Sequence, residues 1–275
     1  MGVYCNDSET MFKMALIENL PLKKNIVFFL IDGLRADQCH GENKSSKTPN
    51  IDLLIKNGIY CKHAISSADG TVISLNTTFS SKFQFGNAVR YQKLVLDKNN
   101  FLEILKKHGY HMYGAIPNMT SFKPLGEYFE NENNGYEFSS PLETLSTGLT
   151  ERIIQILESK ELLEPYFCYF HLFDLHPLRE GKKSIGIEKF ENEEFGSSTY
   201  ARTVSLIDYW LGKILAKIDT EKTLVVITGD HGERIPYEDK GYSDFQPRFD
   251  SATKLGRKHI PKSAHNLGGK FFGKA

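Results

Sequence analysis

Two short apolar runs, each broken by an aspartate, limit the folds open to this chain. NIVFFLIDG keeps Ile26 to Ile31 free of polar residues before Asp32-Gly33, and TLVVITGDHGE runs through Leu224 to Ile227 before Gly229-Asp230-His231-Gly232. An uninterrupted run of this length reads as a strand buried on both faces in a parallel sheet. A third run, YFCYFHLFDLHP, is mostly aromatic and ends in Asp174, His176 and Pro177; YHMYGAIPN, from Tyr110 to Asn118, is a weaker fourth. Helical patterns fill the intervals. TPNIDLLIKNG opens on Thr48-Pro49 and stops at Gly58, and NFLEILKKHG sets Phe101, Ile104 and Leu105 on one face. LTERIIQILESKELL and YARTVSLIDYWLGKILAKID are longer amphipathic segments, the second with Val204, Ile207, Leu211, Ile214, Leu215 and Ile218 at helical spacing. Strands alternating with helices predict an α/β fold with a mainly parallel sheet flanked by helices.

The chain's 275 residues suffice for one large α/β domain. Its 34 Lys plus Arg balance 34 Asp plus Glu, so no overall field points to nucleic acid or an acidic membrane. Cys5, Cys39, Cys61 and Cys168 show neither metal spacing nor a disulfide framework. The first residues lack the basic-then-apolar order of a secretory signal, and Asn6 stands where a myristoylated Gly2 would want Ser or Thr. The longest apolar run, Ile26 to Ile31, is too short for a membrane span. A cytoplasmic protein is expected, with no nucleic-acid partner and no membrane span. Residues 1–24 read as an extension, 25–233 as the catalytic core, and 234–275 as an irregular tail that resembles a truncated C-terminal part.

The chemistry gathers where the strands stop. Asp32, Asp174 with His176, and Asp230 with His231 each follow an apolar run. Open parallel sheets bind ligands at the carboxyl ends of their strands, so these groups can converge. Carboxylates and imidazoles together suit a divalent cation of the Zn, Mn, Mg or Ca kind. A single aspartate after a strand more often caps the next helix, but three strand ends, two of them with histidine, favour the metal.

Taken in order, NIVFFLIDGLRAD, KTPNIDLLIKNGIYCKHAISSADGT, FLEILKKHGYHMYGAI, YFHLFDLHP, YARTVSLIDYWLGKIL and TLVVITGDHGE resemble the sulfatase-like branch of the alkaline phosphatase superfamily. The resemblance covers most of 25–233. It implies an alkaline-phosphatase-like three-layer sandwich, and it places the family's metal-binding nucleophile at Thr71, within the hydroxyl-rich stretch SSADGTVISLNTTFSSK. By the same resemblance Asp32, Asp230 and His231 match metal-ligand positions, and His176 matches an active-site histidine. Asp174 is a further metal or supporting candidate, and His259 or His265 in the tail a distal ligand. Read without the resemblance, Thr71 is a β-branched residue in a turn.

The match departs from true sulfatases at the nucleophile. Thr71-Val72-Ile73-Ser74-Leu75 has no Cys or Ser at its head, no Pro and no Arg, so it cannot supply formylglycine. A Gly-preceded threonine is similar to the arrangement in phosphoethanolamine and lipoteichoic-type transferases and nucleotide phosphodiesterases. The phosphodiesterase D-x-x-x-H spacing is absent, since Asp174 and His176 are two apart. The resemblance therefore implies a metal-dependent hydrolase or transferase of phosphoric (or sulfuric) esters, acting on a small anionic ester through Thr71. A sulfuric ester hydrolase and a non-catalytic binding protein are the alternatives.

Overall fold

The structure, a computed structural model, describes residues 23–82, 93–96, 98–131, 137–138, 143–179 and 181–233. The expected extension up to residue 22 and the whole tail, with His259 and His265, lie outside the described residues.

All four apolar runs are strands. β1 (Asn25–Ile31), β2 (His111–Pro117), β4 (Tyr166–Leu172) and β5 (Thr223–Gly229) join a two-residue β3 (Glu137–Phe138) in a sheet of order β3-β2-β4-β1-β5. Every pairing is parallel. Side chains alternate across a strand, and here both faces are apolar. Val27, Phe29 and Ile31 of β1 enter one core with Cys168, Phe170 and Leu172 of β4. Leu30 of β1 and Phe167 and Tyr169 of β4 enter the other. The sheet is thus the middle layer of three.

The first core is closed by α1 (Pro49–Asn57), α4 (Leu149–Leu157) and α5 (Thr199–Leu215), through residues such as Ile51, Ile153, Val204, Ile207 and Leu211. The second lies under α2 (Thr71–Ser80) and α3 (Phe101–Lys107). Three expectations change. The LTERIIQILESKELL helix stops at Leu157, short of the predicted run. In α3 the buried residue is Leu102, with Ile104 48% exposed, because the helix presses its Phe101–Leu102–Leu105 side to the sheet. Thr71, read from its own stretch as a turn residue, instead starts a helix. From Thr71 to Ser80 the chain forms α2, ended by Ser81 at φ 53°.

α2 has little intrinsic reason to be a helix, being rich in Thr, Ser, Val and Ile. Packing decides it. Leu75 and Phe79, one turn apart, are wholly buried, and the Phe79 ring stacks on Phe101 at 5.9 Å and meets Tyr169 edge-on at 5.6 Å. Truncating such a phenylalanine to alanine costs about 3–5 kcal/mol. That anchorage holds the start of α2 at the carboxyl edge of the sheet.

Candidate active site

Strand register brings the acids together. Ile31 pairs with Leu172 on one side and Gly229 on the other, so Asp32 and Asp230 emerge on adjacent strands. Gly33 turns the chain at φ 69° and donates its N–H to Asp230 Oδ1 at 3.0 Å. The His231 N–H donates to the same oxygen at 2.9 Å. A Cβ at Gly229 would lie 2.5 Å from the Leu34 carbonyl oxygen, so glycine alone permits this approach. Asp230 Oδ2 and Asp32 Oδ1 are buried without a hydrogen-bond partner among the described residues.

His231 Nε2 lies 3.7 Å from Asp32 Oδ1 and 3.5 Å from Asp230 Oδ2. Its Nδ1 is 2.7 Å from the Gly232 carbonyl oxygen, which can only accept, so Nδ1 donates there and Nε2 faces the site. Thr71 completes the group. Its Oγ1 is 3.2 Å from His231 Nε2 and 3.3 Å from Asp32 Oδ2. Thr71 is the first residue of α2, and its N-cap Gly70 has no side chain with which to cap the helix. The first-turn N–H groups beside the hydroxyl therefore keep their capacity to bind an anion. The preceding loop is pinned by Ser66, whose Oγ is 2.6 Å from the Asp230 carbonyl oxygen.

One residue was not singled out from the sequence. His171 of β4 is fully buried, and its Nε2 has no hydrogen-bond partner among the described residues. Its Nδ1 is 2.9 Å from the Tyr169 hydroxyl. One donor atom each from Asp32, His171 and Asp230 lie within 4.8 Å of one another. The available signal was a lone imidazole in an otherwise apolar, aromatic strand, where burial without a partner is costly.

His176 stands at the mouth, 28% exposed, with Nδ1 3.6 Å from Asp32 Oδ2. Asp174 is placed differently. It is fully buried, its Oδ1 accepts the Leu145 N–H at 3.1 Å, and it is not in the three-residue donor group. Nearby, Arg35 forms a two-point ion pair with Asp37 and lies over the Tyr200 ring.

Charges in the site are unequal. Burial pushes the Asp32 carboxyl up, but His176 and the fields of His171 and His231 outweigh it and hold Asp32 below the usual carboxylate range. For Asp230, burial and then the Asp32 charge prevail and lift the group to about 6. Burial pushes the His171 imidazole down to about 3. Two buried acids sharing one locus, each with an unpartnered oxygen and with imidazole nitrogens beside them, fit a divalent cation.

Beside the acids opens a cleft of about 430 Å3. Asp32, Thr71 and His176 line its reactive end.

The Sulfatase family model matches residues 24–265, and the chain belongs to that family. Comparison with the curated proteins gives no match. Among solved structures the chain resembles an alkaline phosphatase superfamily protein from Vibrio parahaemolyticus, at 20% identity and TM-score 0.53 over 77% of this chain; it spans 55% of that protein's length. It also resembles the C-terminal periplasmic domain of phosphoethanolamine transferase EptC from Campylobacter jejuni (19% identity, TM-score 0.52, 76% of this chain and 69% of that one). A third is the corresponding EptC domain from Escherichia coli in complex with Zn (14% identity, TM-score 0.51, 79% and 67%). At these identities the likeness establishes the alkaline-phosphatase-like fold. No helix among the described residues is long and apolar enough to cross a membrane. Two of these neighbours are periplasmic domains, so the cytoplasmic expectation gains no support.

Proposed function

We propose that the chain is a metal-dependent hydrolase or transferase of phosphoric (or sulfuric) esters in which Thr71 is the nucleophile. The observation that carries this reading is the position of Thr71 Oγ1, 3.2 Å from His231 Nε2 and 3.3 Å from Asp32 Oδ2, at an uncapped helix start. Asp32, Asp230, His171 and His231 are the residues that would hold the cation, with Thr71 against it. A divalent cation there supplies positive charge that lowers the pKa of the hydroxyl and neutralises the transferring group. The nitrogen donors favour zinc or manganese as first trials, magnesium and calcium as second.

The chain's own groups do the rest. First-turn N–H groups of α2 bind the non-bridging oxygens, a use common to helix N-termini. Thr71 Oγ1, its proton released to solvent, forms a new bond to phosphorus as the bond to the leaving oxygen breaks. His176, at the mouth, delivers a proton to that oxygen. Water, or an acceptor hydroxyl, then attacks phosphorus and gives its proton to His176 as the bond from phosphorus to Thr71 Oγ1 breaks, and Oγ1 regains a proton from solvent. The same scaffold with sulfur at its centre is the second reading, favoured by the family model. Against it stands the residue itself, since threonine cannot become the aldehyde hydrate.

A panel of aryl phosphate mono- and diesters, phosphonates and sulfates, run with several divalent metals, tests the proposal. Thr71→Ala should lower turnover by about 10³-fold or more while leaving metal content and the melting profile nearly unchanged. Activity surviving in Thr71→Ala removes the nucleophile. Sulfate turnover above every phosphorus ester selects the second reading, and silence on all esters selects a binding protein.

A further inference from the structure

The reactive groups occupy only one end of the cleft. The remaining wall is mostly apolar, built by Val72, Ile73, Met119, Phe122 and Phe173, with Asp69, Gly70 and Ser121 between them. A transferring phosphoryl group fills a small part of such a space, which has the size of sites that hold much larger organic ligands. The aromatic floor is rigid. Phe122 meets His171 edge-on at 4.9 Å and Phe173 at 6.3 Å, and Phe173 in turn lies 4.8 Å from His176. Each phenylalanine is only 2% exposed, so both also belong to the core. Met119 does not. It is 41% exposed and stands outside both apolar cores, yet it lines the cleft. An unbranched thioether beside a fixed aromatic floor can close over a flat group and adapt to its outline.

We infer that the ester handled at Thr71 carries an apolar, ring-sized group that rests against Val72 and Ile73, backed by Phe122 and Phe173, and is covered by Met119. This inference rests on the reading of the site as an ester-processing centre and deepens it by naming the class of substrate. The group that recognises the substrate is then hydrophobic, while the reacting end is recognised by charge. Burial of one ring from water against such a wall suffices for roughly tenfold or more in affinity.

The test compares phenylphosphonate with methylphosphonate, which share a head group and have no ester to cleave. Calorimetric titration of the full chain, supplied with the divalent metal it retains, reads binding without any turnover. Wild-type protein should bind phenylphosphonate about tenfold tighter than methylphosphonate. Met119→Gln, which keeps length and alters an exposed position, should cut that ratio to about threefold without changing methylphosphonate binding. Equal affinities in wild type, or heat from neither compound, overturn the inference, and an unchanged ratio in Met119→Gln removes the methionine cover. Failure of the nucleophile assignment looks different: ester turnover survives in Thr71→Ala while the phenyl preference remains.

Discussion

Asp208 and Asp230 are equally hidden, at 1% and 4% exposure, but their surroundings differ. Asp208, on α5, accepts the Ile51 N–H at 2.8 Å on Oδ1, and the Asn50 N–H at 3.2 Å and side-chain amide at 2.9 Å on Oδ2. It caps α1 from a neighbouring helix, in place of Thr48, whose own side chain makes no cap bond. Both oxygens are satisfied. At the carboxyl edge of the sheet, Asp230 and Asp32 each retain an oxygen without a partner among the described residues. Leaving a buried polar group unpaired costs about 1–3 kcal/mol. Burial alone therefore does not distinguish a structural acid from a functional one. An unfinished hydrogen-bond shell marks the candidates, because a group beyond the described residues must complete it.

The largest expected effect separates the two regions by metal content. Asp230→Asn should weaken divalent-metal binding by about 100-fold or more, since an inner ligand should matter at least as much as the outer partners of such sites. The metal-free Asp230→Asn protein should melt no lower than wild type, because the change relieves repulsion from Asp32. Asp208→Asn should do the reverse. Its metal content stays at the wild-type level, while stability drops by about 2 kcal/mol as an amide N–H is turned toward backbone donors. Chelator competition and calorimetric melting on both variants read the crossing. Equal loss of metal from both, or from neither, breaks the contrast.

The same contrast explains which parts of the molecule were legible in sequence. A run such as Ile26–Ile31 states its burial residue by residue, and the aspartate that ends it must lie at the sheet edge. Asp32, Asp230 and His231 could be read this way because strand register is a local consequence of parallel pairing. α2 could not. Its helix rests on Leu75 and Phe79 packing against Phe101 and Tyr169 from distant segments, and its own residues favour extended backbone. His171 was hidden for a related reason, since one imidazole in a mostly aromatic strand looks like one more core residue until its neighbours are placed. Asp208 reads as a surface acid on an amphipathic helix, although it is buried. Its hydrogen bonds to Asn50 and Ile51 cross more than half of the chain, beyond any local pattern.

Asp174 lies between the two cases and gives the most diagnostic effect. One oxygen accepts from Leu145, the other has no hydrogen-bond partner among the described residues, and burial lifts the group to about 7. An unfolded aspartate titrates near 4, at about 3.9. Between roughly 4 and 7 the folded chain holds this proton more tightly than the unfolded one, so stability must fall as pH rises, by at most about 1.4 kcal/mol per pH unit, and level off above that window. Asp174→Asn has no proton to lose there. The stability of wild type relative to Asp174→Asn should therefore decline from pH 4 to 7, as read by urea unfolding at a series of pH values in the presence of chelator. A flat difference would mean that Asp174 is ionised in the folded chain and that a positive charge faces its free oxygen. Repeating the series with metal then decides the source. If the decline appears with chelator and vanishes with metal, Asp174 senses the cation and joins Asp230 on the functional side; if it persists with metal, Asp174 is a structural acid with an incomplete shell.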